Sequence, residues 1–118
     1  MPKVMVVDDS LFMREHLAKL LTEHSYEVIL AENGEEAVKT YRSAKPDVVL
    51  MDVTMPQMNG LAALVEIREF DQQAKVIMLT AMDERLLASH AIEVGAKDYL
   101  MKPVPLDKLL MALQKVLR

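Results

Sequence analysis

The chain has no cysteine, only three glycines, no block of basic residues and no long apolar run. Without cysteine there are no disulfides and no thiolate metal sites, a composition that suits a reducing compartment. With so few glycines there is little material for a glycine-rich phosphate loop. A net charge of −4 with no basic cluster argues against direct nucleic-acid binding. No run approaches the roughly 18 apolar residues of a membrane span. The opening Met1-Pro2-Lys3 leads into a short apolar stretch that stops at Asp8-Asp9, too short for a secretory signal. The expected location is the cytoplasm, with no membrane partner.

What is present is a soluble globular composition. Of 118 residues, 52% are hydrophobic and 27% charged. That length fits a single domain over 1–118 and is enough to bury a core without covalent staples. Nearly continuous Val/Ile/Leu runs at Val4–Val7, Glu27–Ala31, Asp47–Met51, Lys75–Leu79 and Asp98–Met101 predict strands covered on both faces.

Segments of helical period lie between and after them. Their apolar stripes are Met13, Leu17, Leu20, Leu21 and His24; Gly34, Ala37, Val38 and Tyr41; Leu61, Leu64 and Ile67; Leu87, Ala91 and Val94; and Leu106, Leu109, Leu110, Leu113 and Leu117. Asn33 and Asp83 suit N-caps, Gly95 suits a helix stop, and Pro105 suits the first turn of the last helix. Ser25 stands where glycine would end a helix more easily. Met51, Met78 and Met101 read as core, and Met55 and Met58 flank the loop after the third strand. The expected fold is α/β, a doubly wound (βα)5 domain on a five-stranded parallel sheet.

In such folds the site lies beyond the carboxyl ends of the strands. The residues there are Asp8-Asp9, Asp52, Thr80-Ala81 and Lys102-Pro103. Each alone reads as a turn or a helix cap. Together they put three carboxylates, a hydroxyl and an ammonium at one sheet edge. Crowded carboxylates repel, which raises at least one pKa unless a cation intervenes. A hard divalent ion prefers such oxygen ligands, and a carboxylate left free can act as a nucleophile that forms an acyl phosphate. His16, His24 and His90 are not at ligand spacing and read as ordinary helix residues.

These residues sit in longer motifs: Val6-Val7-Asp8-Asp9-Ser10 with Arg14, Leu50-Met51-Asp52-Val53-Thr54-Met55-Pro56-Gln57-Met58-Asn59-Gly60, Met78-Leu79-Thr80-Ala81, Gly95-Ala96-Lys97-Asp98-Tyr99, and Lys102-Pro103. With these motifs the chain resembles, end to end, the response regulator receiver domains of bacterial two-component systems, and among them the CheY-like chemotaxis regulators. The resemblance implies a flavodoxin-like strand order 2-1-3-4-5. It implies Asp52 as phosphoacceptor. It implies a Mg2+ ion, or Mn2+, held by Asp8, Asp9, Asp52 and the backbone carbonyl of Thr54. Thr80 matches the switch hydroxyl, Tyr99 the aromatic switch residue, Lys102 the phosphate-pairing lysine, and Pro103 the proline that often follows through a cis bond. Ala81 and Met82 complete the supporting set.

The implied activity is a phosphorylation-dependent signalling switch, with no turnover beyond self-phosphorylation and self-dephosphorylation. A sensor histidine kinase or a small acyl phosphate would be the donor. The face of helix four, strand five and helix five would meet a target protein or output domain, the chain being a monomer or a dimer promoted by phosphorylation. A stand-alone regulator and a receiver cut from a longer protein both fit. Val104 stands where the family often has phenylalanine, which makes the partner-binding face less predictable. Thr54 and Met82 hold positions that tune hydrolysis, and Met82 cannot hold an attacking water, so slow to moderate self-dephosphorylation is expected.

Three other readings differ at identifiable residues. A haloacid dehalogenase-type phosphatase wants a second Asp two residues after the nucleophile, where Thr54 stands. A flavodoxin or nucleotide-binding domain wants a phosphate loop where Asp8-Asp9 stands. A phosphorylation-independent receiver-like binding module would not need the complete acidic set and Lys102.

Overall fold

The computed structural model describes residues 1–53, 55, 58–81 and 85–118, with Arg85 described by its backbone alone. The elements alternate: β1 (Lys3–Val7), α1 (Leu11–Glu23), β2 (Glu27–Ala31), α2 (Gly34–Ala44), β3 (Val48–Asp52), α3 (Gly60–Phe70), β4 (Val76–Thr80), α4 (Arg85–Glu93), β5 (Asp98–Met101) and α5 (Leu106–Leu117). The strands form one parallel sheet in the order β2-β1-β3-β4-β5. The expected fold class and strand order are those observed.

The near-continuous apolar strands are explained by two cores. Met5, Val7, Val49, Met51, Val76 and Met78 pack with α2, α3 and α4 on one face. Val4, Val6, Val48, Leu50, Ile77 and Leu79 pack with α1 and α5 on the other. Successive side chains of a strand point to opposite faces, so a strand covered twice must be apolar at every position.

Local chemistry starts and stops the helices. Ser10, Asn33 and Asn59 each accept a backbone N–H of the first turn, at 3.3, 2.8 and 2.9 Å. Ser25 adopts a left-handed φ of 68° after α1, and Lys45 one of 47° after α2, both where glycine is the easier residue. Gly95 does the same after α4, with a φ of 118°.

Several sequence expectations are corrected. β3 and β4 each begin and end one residue later than expected, so Asp52 and Thr80 are the last strand residues rather than the first beyond. Leu87 is exposed and Ala88 is buried, so the buried stripe of α4 is turned by one residue and built on alanines that let the helix lie close to the sheet. His24 is the exposed C-cap of α1 rather than part of its buried face, with its Nδ1 2.8 Å from the Leu20 carbonyl. Met101 is half-buried because β5 is an edge strand. Pro105 is the N-cap residue of α5, one position before its first turn. The expected cap Asp83 lies outside the described residues.

Tyr41 ties α2 to the end of α3. Its hydroxyl donates to Asp71 Oδ2 at 2.8 Å. Burial, then the bond to Asp71 and the charge of that carboxylate, raise its pKa above the ordinary tyrosine value. Tyr41→Phe is expected to cost about 1.5–3 kcal/mol, the range for a hydrogen bond to a charged group, in urea unfolding at neutral pH. The raised folded pKa makes this stabilisation complete below about pH 10 and progressively lost as pH rises toward the folded value. The phenylalanine variant should therefore lack that part of the alkaline decline. An unchanged midpoint at neutral pH would mean that the bond contributes nothing.

Candidate functional site

The register brings four chain segments to one edge of the sheet. Val7 pairs with Met51, Asp52 with Leu79, and Thr80 with Met101. Asp8 therefore stands one step past the end of β1, level with Asp52. The Asp8 N–H donates to the Ala31 carbonyl at 3.2 Å, and the Lys102 N–H donates to the Thr80 carbonyl at 2.7 Å. These bonds carry the sheet pattern one residue into the site.

Carboxylate oxygens of Asp8, Asp9 and Asp52 lie within 4.8 Å of one another. Asp8 is 1% exposed and Asp52 5%, whereas Asp9 faces solvent. Lys102 bridges the two buried carboxylates, its Nζ 3.2 Å from Asp8 Oδ2 and 3.4 Å from Asp52 Oδ2. Burial of the ammonium works against its charge, but the attraction of Asp52 and then Asp8, with hydrogen bonds to both, outweighs it. Its pKa is held above the ordinary lysine value, so Lys102 stays protonated through neutral pH. Asp8 is oriented further by the Ser10 N–H, which donates to its Oδ1 at 2.9 Å.

Thr80 is fully buried, and its Oγ1 has no hydrogen-bond partner among the described residues. Tyr99, 37% exposed, lies at the surface rather than packed inward. The Lys102–Pro103 peptide is cis. Ala81 is half-buried just past β4. Thr54 and Met82 lie outside the described residues. The structure thus gathers Asp8, Asp9, Asp52 and Lys102 into one cluster. It leaves Thr80 one step past Asp52 and Tyr99 apart from the cluster.

Two further features shape this edge. Gly60 opens α3 with its N–H donating to the Val53 carbonyl at 2.8 Å, and a Cβ there would collide with the backbone oxygen of Asp52. Arg14 reaches back from α1, its Nη1 donating to the Asp8 carbonyl at 2.6 Å. Residue order alone points to neither role, because each partner is recognised only once the segments are packed. Ser10, by contrast, carries a cap signature that is readable from the apolar helical period after it.

The family model described as response regulator receiver domain matches residues 4–114. The chain belongs to the response regulator receiver family. It is 43% identical to the chemotaxis protein CheY of Bacillus subtilis over 116 residues, covering 98% of this chain and 97% of that one. Among solved structures it is similar to a response regulator receiver domain protein from Clostridium thermocellum, with a TM-score of 0.96, 29% identity, and coverage of 99% and 94% of the two chains. It is also similar to a chain of the CheX-CheY-BeF3-Mg2+ complex from Borrelia burgdorferi, with a TM-score of 0.92, 36% identity, and coverage of 98% and 89%.

Phosphorylation-dependent switching is the general function of receivers. The acidic cluster fits the divalent ion of such a domain: its donors are all carboxylate oxygens, close enough to share one cation, and they outnumber the single lysine charge among them. Among the described residues, no helix of this receiver is long and apolar enough to cross a membrane.

Proposed function

We propose that this receiver takes a phosphoryl group on Asp52, with Asp8, Asp9 and Asp52 holding Mg2+ or Mn2+ together with the Thr54 carbonyl. The observation that carries the reading is the placement of the Lys102 ammonium between Asp8 and Asp52 at the end of the central strands. One oxygen of Asp52 attacks phosphorus, an O–P bond forms, and the bond to the donor nitrogen or oxygen breaks with its electron pair leaving on the donor. Lys102 neutralises charge on a phosphoryl oxygen. The bound ion would supply charge neutralisation and orientation for the transfer.

Thr80 then has a partner for its buried hydroxyl, and Tyr99 turns inward as that side chain moves. The surface of α4, β5 and α5 changes for a target protein or output domain, as a population shift between two states. The donor is a sensor histidine kinase or a small acyl phosphate, and the chain turns over no other substrate. It works as a monomer or as a dimer promoted by phosphorylation. A methionine at position 82 suits slow to moderate self-dephosphorylation.

Intact mass spectrometry after incubation with acetyl phosphate tests this. One added phosphoryl group is expected with Mg2+ present, and none with EDTA or in Asp52→Asn. A parent that gains nothing returns the chain to a phosphorylation-independent binding module, and a gain in Asp52→Asn moves the acceptor elsewhere.

A further inference from the structure

Arg14 is the fourth residue of α1 after the Ser10 cap, and its side chain is 11% exposed. Side chains in a first helical turn lean toward the helix N-terminus, which carries the guanidinium back to the end of β1. There Nη1 donates to the Asp8 carbonyl at 2.6 Å, and Nη2 lies 3.9 Å from Glu32 Oε2, just past β2.

Two simpler roles explain this poorly. The ion pair with Glu32 is long, and that side chain is mostly exposed, so it contributes little. Closure of the turn after β1 is already supplied by Ser10 N–H to Asp8 Oδ1, Met13 N–H to Ser10 Oγ and Asp8 N–H to Ala31 O. Among the described residues, what Arg14 alone holds is the oxygen of the peptide joining Asp8 to Asp9. Asp8 has its own side-chain partners in Ser10 and Lys102. The Asp9 side chain has no hydrogen bond or ion pair of its own among the described residues, so the backbone before it, which sets the direction of its Cα–Cβ bond, is what places its carboxylate within reach of the cluster.

We infer that Arg14 is a positioning residue that aims the Asp9 carboxylate at the divalent ion through the Asp8–Asp9 peptide. The inference rests on the metal assignment proposed above. The planar guanidinium suits the task because its fixed N–H fork delivers Nη1 to the Asp8 carbonyl in one orientation, which a rotating ammonium does less well.

Mg2+ dissociation constants for the parent, Arg14→Met, Arg14→Lys, Asp9→Asn and the Arg14→Met/Asp9→Asn double variant test it, with thermal midpoints in EDTA to confirm folding. Loss of the outer support of a ligand weakens metal binding about tenfold, and that is expected for Arg14→Met. Arg14→Lys, which keeps the charge and one donor, is expected to weaken binding roughly threefold. In the Asp9→Asn background Arg14→Met should change affinity by less than about twofold, since the group it aims is already gone. A merely structural arginine would act additively with Asp9→Asn. Additive losses, or parental affinity in either Arg14 variant, overturn the inference, and Arg14→Lys decides it should Arg14→Met not fold. A parent that takes no Mg2+ overturns the metal assignment itself.

Discussion

Lys102→Met is expected to unfold with about 2–4 kcal/mol less free energy than the parent in EDTA, and to regain most of that loss when Mg2+ is added. Asp8 and Asp52 are nearly inaccessible to water, and the Lys102 ammonium lies within 3.4 Å of both. Methionine keeps the length of the stem but removes the ammonium that lies between two buried carboxylates. Removing one partner of a buried pair costs several kcal/mol because the remaining charge is uncompensated. The loss falls toward the low end of that cost because the lysine side chain remains 26% exposed and is partly screened by water. A divalent ion on the same carboxylates restores the balance by mass action, so the variant's stability becomes strongly Mg2+-dependent.

The pH dependence has a definite sign. Lys102 has a raised folded pKa, so its contribution is complete below the unfolded lysine value of about 10.4 and declines as pH rises through the folded value. On the alkaline side, parent and variant curves in EDTA should therefore converge at strongly alkaline pH. Urea titrations with and without Mg2+ measure both effects. A loss that Mg2+ does not repair would show that Lys102 acts through packing rather than charge.

Thr80→Val is expected to do the opposite to the resting protein, raising its unfolding free energy by about 1 kcal/mol while disconnecting the switch. A buried polar group without a partner costs about 1–3 kcal/mol, and Thr80 Oγ1 has none among the described residues. Valine has nearly the same shape, and its methyl has no hydrogen bond to miss. The variant should still be phosphorylated, because Asp52, the proposed acceptor, and Lys102 are untouched. It should lose the response of Tyr99, which NMR of the tyrosine ring reads after acetyl phosphate or beryllofluoride treatment. Destabilisation by more than about 1 kcal/mol would mean the hydroxyl already has a partner in the resting state. A parental Tyr99 response would remove Thr80 from the switch.

Much of this site is legible from residue order because each strand end is marked by a residue that an apolar strand core does not accept. Asp8, Asp52, Thr80 and Lys102 interrupt otherwise apolar runs, and parallel strands bring such interruptions to one edge. The exact ends were less legible. Asp52 and Thr80 still pair within the ladder, opposite Leu79 and Met101, so polarity stops the apolar pattern one residue before the backbone stops pairing. Leu87 misleads for a related reason. Periodicity marks an apolar stripe, but the close approach of α4 to β4 selects Ala88 and Ala91 for burial and leaves Leu87 outside.

By itself the sequence determined the alternation of strands and helices, the double cover of the sheet, and the set of polar residues at the strand ends. Those features follow from local periodicity and covalent order. Only the tertiary structure decided that Lys102 lies across Asp8 and Asp52, that Arg14 holds the Asp8 carbonyl, that Gly60 leaves room for the backbone of Asp52, and that Thr80 buries a hydroxyl unpartnered among the described residues. Lys102 and Asp8 stand 94 positions apart in the chain. Their contact is a product of strand order and register, which the packing of helices on both faces sets and which no spacing along the chain encodes.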